Sequence, residues 1–322
     1  MAENDKKTVT EMNKYKPEGM LISSAKNYEY TSSLTGLKSA LEAQAILEAP
    51  VLMCDHELNL IIEFCCGIKG IIPKNDVVFS EREATKDIAI LTRVGKTVCF
   101  KVTGFKTGED GKITAVLSRR AAQKECFESY VNTLMPGDII PSRITHLENF
   151  GAFVDIGCGI TSLLSIDTIS ISRISHPSVR VGVGDFIYTV VKGRDELGRI
   201  YVSERELLGT WEDNTALFQV GQTVTGVIRS VESYGVFIEL KPNLAGLAEF
   251  RDDVKAGQTV AVYIKSMIPE KMKIKLIIID VQNEHLPREP LDYFIDVEKT
   301  THINSWRYSP SSCNKIIEST FI

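Results

Sequence analysis

Short apolar stretches rich in β-branched residues recur along this chain, and polar turns separate them. One set opens with a glycine turn and continues as an apolar run, at residues 94–102, 183–191 and 256–264. A shorter apolar run follows each of these after another polar turn, at 112–118, 199–203 and 273–278. Runs of this length and composition between turn residues predict β-strands.

The pattern repeats at a fixed spacing in the second half of the chain. Residues 137–164 align with residues 221–248 without a gap, at an offset of 84. In this alignment Phe150 matches Tyr234. The identical pairs include Gly137 with Gly221, Ile144 with Ile228, Gly151 with Gly235, Phe153 with Phe237, and Leu163 with Leu247. Self-similarity at one offset predicts tandem copies of a single structural unit.

A weaker copy lies upstream, at an offset of 92 from the middle one. Gly159 falls on Gly67 in this alignment. Aliphatic Leu58 and Ile61 take the two aromatic positions, with Asn59 in place of the glycine between them. The first copy therefore keeps the apolar pattern of a strand unit but lacks its rings.

Five short strands in each copy, over roughly 70–85 residues, suit a small closed barrel. Ser33 before Leu34, Leu37 and Leu41 predicts a capped leading helix. The tail carries two apolar stretches around the polar run EKTTH, which predicts a hairpin. We expect a disordered segment at 1–32, a degenerate first barrel with its leading helix at 33–120, a helical linker at 121–134, a second barrel at 135–205, a linker at 206–218, a third barrel at 219–282, and a C-terminal extension at 283–322.

Composition and charge narrow the function. The net charge of −5 argues against affinity that comes mainly from a basic surface. No nucleotide loop or hydrolase motif occurs, so we expect no catalytic residues, no cofactor and no small-molecule substrate. The seven cysteines include no CxxC pair, so we expect free thiols and no metal. Without an apolar span or an apolar signal core, we expect a cytoplasmic protein with no membrane partner.

The repeated aromatic pairs offer a different source of affinity. Phe150 and Phe153 flank Gly151, and Tyr234 and Phe237 repeat the arrangement. Rings stacked on exposed bases contribute about 1–3 kcal/mol per base. An acidic protein can therefore hold single-stranded RNA if these rings are exposed. The alternative is that all four rings belong to the barrel cores.

Two stretches resemble the RNA-binding repeat of ribosomal protein S-one. They are ENFGAFVDIG followed by LLSID, and ESYGVFIEL followed by AGLAE. The runs ISRISHP and ELLGTW are similar to S-one-like proteins of Gram-positive bacteria. The resemblance covers roughly residues 45–280. It implies an all-β fold of three tandem five-stranded OB-type barrels, joined by short helical linkers and followed by a hairpin-like extension.

The resemblance also implies a site. In the family, two aromatic residues, a histidine, an acid and a base line the RNA face. The matching positions are Phe150, Phe153, Ser165 in place of histidine, Asp195 and Arg199 in the second barrel, and Tyr234, Phe237, Glu249 in place of histidine, and Lys273 in the third. Glu249 would repel phosphate. Arg199 and Lys273 could instead be solvated strand ends.

Three more residues are candidates for the same surface. His146 lies in the first strand of the second barrel, and Arg173 and His176 lie in a connection that is longer than its counterpart in the third barrel. Each histidine could equally be structural, and Pro177 favours an extended or turn geometry at His176.

Two functions remain open at this point. The first is the binding of single-stranded RNA, such as mRNA, in translation or RNA handling. The second is a protein-interaction scaffold with little RNA binding. A ringless first barrel favours protein contact, and the resemblance implies docking to the small ribosomal subunit through that barrel.

Overall fold

Strands and short helices alternate through the computed structural model, which describes residues 14–80, 86–109, 111–282 and 291–321. The strands are β1 Leu47–Pro50, β2 Met53–Cys54, β3 Leu60–Glu63, β4 Lys69–Ile72, β5 Thr97–Thr107, β6 Ile113–Ser118, β7 Ile139–Glu148, β8 Gly151–Asp155, β9 Thr161–Ser165, β10 Phe186–Arg194, β11 Ile200–Ser203, β12 Thr223–Glu232, β13 Gly235–Lys241, β14 Leu244–Ala248, β15 Thr259–Ile268, β16 Lys273–Gln282, β17 Ser305–Arg307 and β18 Glu318–Thr320. The α-helices are α1 Ala25–Thr31, α2 Leu34–Glu42, α3 Asp87–Leu91, α4 Arg119–Ser129, α5 Ile166–Ile169 and α6 Trp211–Thr215.

The second and third copies are closed five-stranded barrels. Strands β7 to β11 form one and strands β12 to β16 form the other, with the same strand order in both. In the third barrel, β12 pairs antiparallel with both β13 and β15, and β14 pairs parallel with β16. Alternate residues such as Val236 and Ile238 are fully buried, so each strand turns one face inward. The predicted all-β fold of OB-type barrels is confirmed.

The first copy keeps this strand order but forms a six-stranded sheet, β1-β5-β6-β4-β3-β2. The prediction of five strands is wrong here, because the first strand is divided at Val51 and Leu52. Val51 donates its N–H to the carbonyl of Lys96 beside β5, while Leu52 donates to Ile61 in β3. The two edge strands of this sheet are thus consecutive pieces of one chain segment.

The expected disorder over 1–32 is wrong where the chain is described. Residues 1–13 lie outside the described residues, but residues 25–31 form α1 and Tyr15 is buried. The Glu18 carboxylate accepts a 2.6 Å hydrogen bond from Nε of buried Arg119. Polar pairing holds this segment, which apolar content alone does not reveal. The predicted leading helix is confirmed as α2, where Ser33 Oγ accepts from the Gly36 N–H at 2.9 Å.

The C-terminal extension contains a small antiparallel pair, as expected, but from different residues. β17 pairs with β18, so the hairpin closes after residue 307 and not around the EKTTH run. Buried Trp306 and Tyr308 pack into the core of the third barrel. Tyr293 donates its hydroxyl hydrogen to Glu204 at 3.2 Å, beside the second barrel. The extension therefore packs against both closed barrels.

The chain divides into two compact units. One comprises residues 1–134, 141–143 and 155–161, and the other comprises the remaining residues up to 322. Among the described residues, no helix is long and apolar enough to cross a membrane.

Candidate nucleic-acid interface

Phe150 and Phe153 lie together on the outside of the second barrel. Phe150 occupies the turn between β7 and β8, and 54% of its surface is exposed. Phe153, within β8, is half-buried. The two ring centroids are 6.1 Å apart, and the ring planes meet at 88°. An edge-to-face pair of this kind stabilises both rings, and the exposure of Phe150 leaves its ring accessible to a flat ligand.

Gly151 explains how both rings reach one side. Phe150 precedes the strand, so the alternation of strand side chains does not apply to it. A Cβ at position 151 would lie 2.4 Å from the carbonyl oxygen of Leu164 in β9. Only glycine allows the turn to approach the neighbouring strand this closely.

The third barrel repeats this geometry. Tyr234 is 67% exposed, and its ring centroid lies 6.0 Å from that of Phe237 at an angle of 87°. A Cβ at Gly235, where φ is +154°, would lie 2.5 Å from the Ala248 carbonyl oxygen. The four predicted rings therefore stand outside the barrel cores, in two matching pairs.

The strand register extends each pair into a row of outward side chains. In the third barrel, Phe237 lies opposite Ser230 on one side and Leu247 on the other. Leu247 in turn lies opposite Lys275, and Lys275 opposite Ser266. We call these five residues the outer row of the third barrel.

The outer row of the second barrel is more aromatic. It consists of His146, Phe153, Leu163, Tyr201 and Gly193, which the offset of 84 and the register of β9, β10 and β11 place in that order. The His146 ring stacks on Phe153 with centroids 6.4 Å apart and planes at 21°. His146 Nε2 also lies 2.8 Å from a Glu148 carboxylate oxygen. The prediction that His146 lies near the rings is confirmed as geometry.

Asp195 and Arg199 form an exposed ion pair at the tip of the β10–β11 hairpin, with 2.7 Å between Nε and Oδ2. Hydrogen bonds from the backbone N–H and side chain of Arg199 lower the pKa of Asp195, so it remains an anion. Arg199 lies just before β11, two positions ahead of Tyr201. Lys273 is exposed and lies two positions ahead of Lys275.

The two positions that replace the family's histidine also lie at the surface. Ser165 is half-buried, and its hydroxyl hydrogen-bonds to Asp167. Glu249 is exposed. Ser165 ends β9 and Glu249 follows β14, the two strands that carry the central leucines of the outer rows. The third barrel therefore carries an exposed acid at this strand end, where the second barrel carries a hydroxyl.

The long connection after β9 packs against the third barrel. The Ile171 N–H donates to Asn243 Oδ1 at 2.9 Å, and buried Arg180 pairs with Glu239. His176 Nδ1 accepts from the Ser178 N–H at 3.1 Å and so begins a 3₁₀ turn, while Arg173 is exposed. The structure gives His176 a local capping role, and contact of Arg173 or His176 with RNA stays a prediction.

The first copy has a row in the corresponding place, but it is aliphatic. Register links Met53 to Ile61, Ile61 to Ile71, and Ile71 to Val116, with Gly104 opposite Val116. No aromatic residue stands in this row. The sequence alignment found aliphatic residues at the two ring positions of the first copy. The strand register shows that the rest of its row also lacks rings.

Tyr201 is the outer-row residue that sequence reasoning did not single out. Its strand alternates buried Ile200, exposed Tyr201 and buried Val202, so a two-residue period was present in the sequence. The corresponding positions of the other two copies carry no aromatic residue. The alignment of the repeats therefore gave no sign that Tyr201 was significant.

Strand order and outward rings together define a class: this is a protein of tandem OB-type barrels with ring-bearing outer faces. Residues 133–204 match the model of the S1 RNA binding domain. The resemblance predicted from the repeat is confirmed there.

Curated relatives extend over most of the chain. Small ribosomal subunit protein bS1 of Staphylococcus aureus is 24% identical over 87% of this chain and 70% of its own. The Staphylococcus haemolyticus protein is 25% identical over 87% of this chain and 69% of its own. A multidomain Streptococcus pneumoniae protein with nucleic acid binding domains, known from its crystal structure, is 16% identical over 76% of both chains with a TM-score of 0.23.

Proposed function

We propose that this protein binds single-stranded RNA in a translation-related role, with bases stacked on the exposed rings of its second and third barrels. The observation that carries the proposal is the duplicated pair of outward rings beside a close-packed glycine. Two pairs built in one way at a distance of 84 residues are not needed for either barrel core, which is filled by other residues.

Stacking supplies the affinity that the charge of the protein does not. Each stacked base contributes about 1–3 kcal/mol, and every base presents a flat face to a ring. Arg199 and Lys273, at the ends of the last strands, are placed to donate to phosphates. Asp195 pairs with Arg199 and would provide an acceptor for sugar or base groups. Loss of the family's histidine leaves the rings as the main contact.

The second barrel contributes more than the third in this proposal. Its outer row adds His146 to the paired rings, and Ser165 is neutral where Glu249 would repel phosphate. Its segment is also the one that matches the RNA-binding family model.

A second candidate function concerns the first copy, whose outer row is aliphatic. A barrel face without rings or cations suits a protein partner, and relatives are proteins of the small ribosomal subunit. We propose attachment to that subunit through the first copy, and a cytoplasmic location follows from both roles.

Fluorescence anisotropy with a short labelled oligouridine tests the RNA proposal. We expect the variant Phe150→Ala/Phe153→Ala to lose roughly 10- to 1000-fold in affinity, since it removes both rings of one platform. Tyr28→Ala is the matched control, because Tyr28 is 65% exposed on α1, in the other compact unit. Tight binding that the double variant leaves unchanged would refute stacking on this platform.

A further inference from the structure

Tyr201 presents its ring on the outer row of the second barrel, beyond the paired phenylalanines. It is 41% exposed, while its strand neighbours Ile200 and Val202 are buried. Register places Tyr201 opposite Leu163 on one side and Gly193 on the other. The tyrosine thus lies in the same row as Phe153, separated from it by one strand.

Gly193 provides a seat for this ring. A Cβ built at position 193 would lie 3.0 Å from the Tyr201 hydroxyl oxygen and 3.3 Å from Cζ. The register of β10 and β11 shifts between Val191 and Gly193, so the glycine stands at a bulge. A larger residue would push the ring off the strand. The outer end of the tyrosine side chain therefore lies over Gly193, and 41% of the residue stays exposed.

The corresponding positions of the other copies carry different chemistry. The third barrel has Lys275 opposite Ser266, and the first copy has Val116 opposite Gly104. A fold requirement for an aromatic residue would have placed a ring in all three copies. The ring at Tyr201 is thus specific to the barrel whose outer row already stacks His146 on Phe153.

We infer that Tyr201 is a third base-stacking position of the second barrel, an inference that rests on the proposed function. β8 and β11 flank β9, so Phe153 and Tyr201 stand about 10 Å apart at ordinary strand spacing. That separation is too large for both rings to sandwich one base. Tyr201 therefore stacks on a separate base, the next one along the RNA toward the Asp195–Arg199 tip.

The test compares two substitutions at this position by anisotropy with the same labelled oligouridine. Tyr201→Leu keeps apolar bulk over Gly193 but removes the flat face, and we expect it to weaken binding about 5- to 100-fold. Tyr201→Phe keeps the ring, and we expect affinity within about two-fold of the wild type. Tyr28→Leu serves as the control for loss of an exposed tyrosine, and thermal melts verify that each variant is folded.

The outcomes separate this inference from the proposal beneath it. If Tyr201→Leu binds like the wild type while Phe150→Ala/Phe153→Ala does not, the third stacking position is refuted and the RNA function stands. If neither variant changes the affinity, both ideas fail. Equal losses in the leucine and phenylalanine variants would also overturn the inference, because they would show a role for the hydroxyl group and not for stacking.

Discussion

The first and second copies share a strand order but differ in where their polar and aromatic side chains lie. The first copy's unit keeps its strong polar contacts inside, where Arg119 and Glu18 are both buried. Its outer row is aliphatic from Met53 to Val116. The second barrel exposes a row of rings and an ion pair at a hairpin tip.

This difference shows what the OB-type topology fixes and what it leaves open. Inward positions are interchangeable aliphatics, with Leu60 and Ile62 in one copy and Ala152 and Val154 in the other, all buried. Outward positions have no packing requirement, so their side chains can vary and can contact RNA bases, a protein partner or only solvent. In our proposal, the function of this chain therefore depends on the outer rows and not on the fold alone.

The largest expected effect concerns the buried pair of the first copy's unit. Burial by itself would raise the pKa of Glu18, but the Arg119 guanidinium, together with Arg93 and the Cys99 N–H, lowers it on balance. Arg119→Met would remove the close partner of the buried Glu18 charge and leave it only the longer Arg93 contact, at 3.9 Å. We expect a cost of about 3–5 kcal/mol in the free energy of unfolding. Denaturant titration measures this. Arg199→Met, at the exposed pair, is the control and should leave stability unchanged; equal losses would contradict the contrast.

The second barrel has a buried acid of its own with the opposite behaviour. Burial raises the pKa of Glu204 to about 8, above its value in the unfolded chain. The folded state then binds more protons than the unfolded state, so this contribution to stability is full below about pH 4 and is lost up to about pH 8. Glu204→Gln should remove this pH-dependent loss of folding stability. The loss amounts to a few kcal/mol, at about 1.4 kcal/mol per pKa unit. Parallel stability curves from pH 5 to 8 would refute this.

Substitution of the two ring positions in the third barrel and in the first copy sharpens the comparison. Tyr234→Ala/Phe237→Ala should weaken binding to oligouridine about 5- to 100-fold, less than removal of the phenylalanine pair because Glu249 already opposes phosphate. The corresponding change in the first copy, Leu58→Ala/Ile61→Ala, should leave affinity within about two-fold. Anisotropy measures both. A similar loss from the first copy would show that aliphatic rows also hold RNA.

Aromatic residues introduced into the outer row of the first copy should give a smaller gain in RNA affinity. Met53→His, Ile61→Phe and Val116→Tyr together rebuild the aromatic row on the first copy. In a chain that lacks Phe150 and Phe153, we expect them to restore about 5-fold in affinity, near the lower limit for one stacked base. The first copy has no counterpart of the exposed Phe150 ring, so full recovery is not expected. No gain at all in a folded variant would break the claim that outer rows decide binding.

The smallest effect is on the salt dependence. Stacking supplies most of the affinity in our proposal, so the plot of log K against log salt should be shallow. Arg199→Gln should reduce its slope by about 0.7, the contribution of one phosphate contact on a single strand. Anisotropy from low to physiological salt measures the slope. A steep slope that Arg199→Gln does not alter would place the main contacts elsewhere.

Much of the barrel architecture could be predicted from the sequence, because buried strands repeat their apolar period and glycine turns mark their ends. The ring pairs were equally visible, since Gly151 and Gly235 recur with their aromatic neighbours. What the strand period could not give was the side of Phe150, which lies in a turn.

Other features depend on contacts between residues far apart in the chain. Glu18 helps to order a polar segment through its bond to Arg119, about 100 positions away, and no local period records such a pair. The divided first strand depends on where Lys96 and Ile61 offer carbonyls to Val51 and Leu52. Tyr201 needed the register, since its partner Gly193 is what keeps the ring on the face.

The most direct test of outer-row binding is an NMR titration of the full chain with oligouridine, in which ring and methyl signals are followed together. Stacked bases shift the proton signals of the rings that they cover. We predict large shifts for Phe150 and Phe153, smaller shifts for Tyr234 and Phe237, and none for the methyl group of Met53. Saturable binding that moves the Met53 signal and leaves the four ring signals in place would contradict the account.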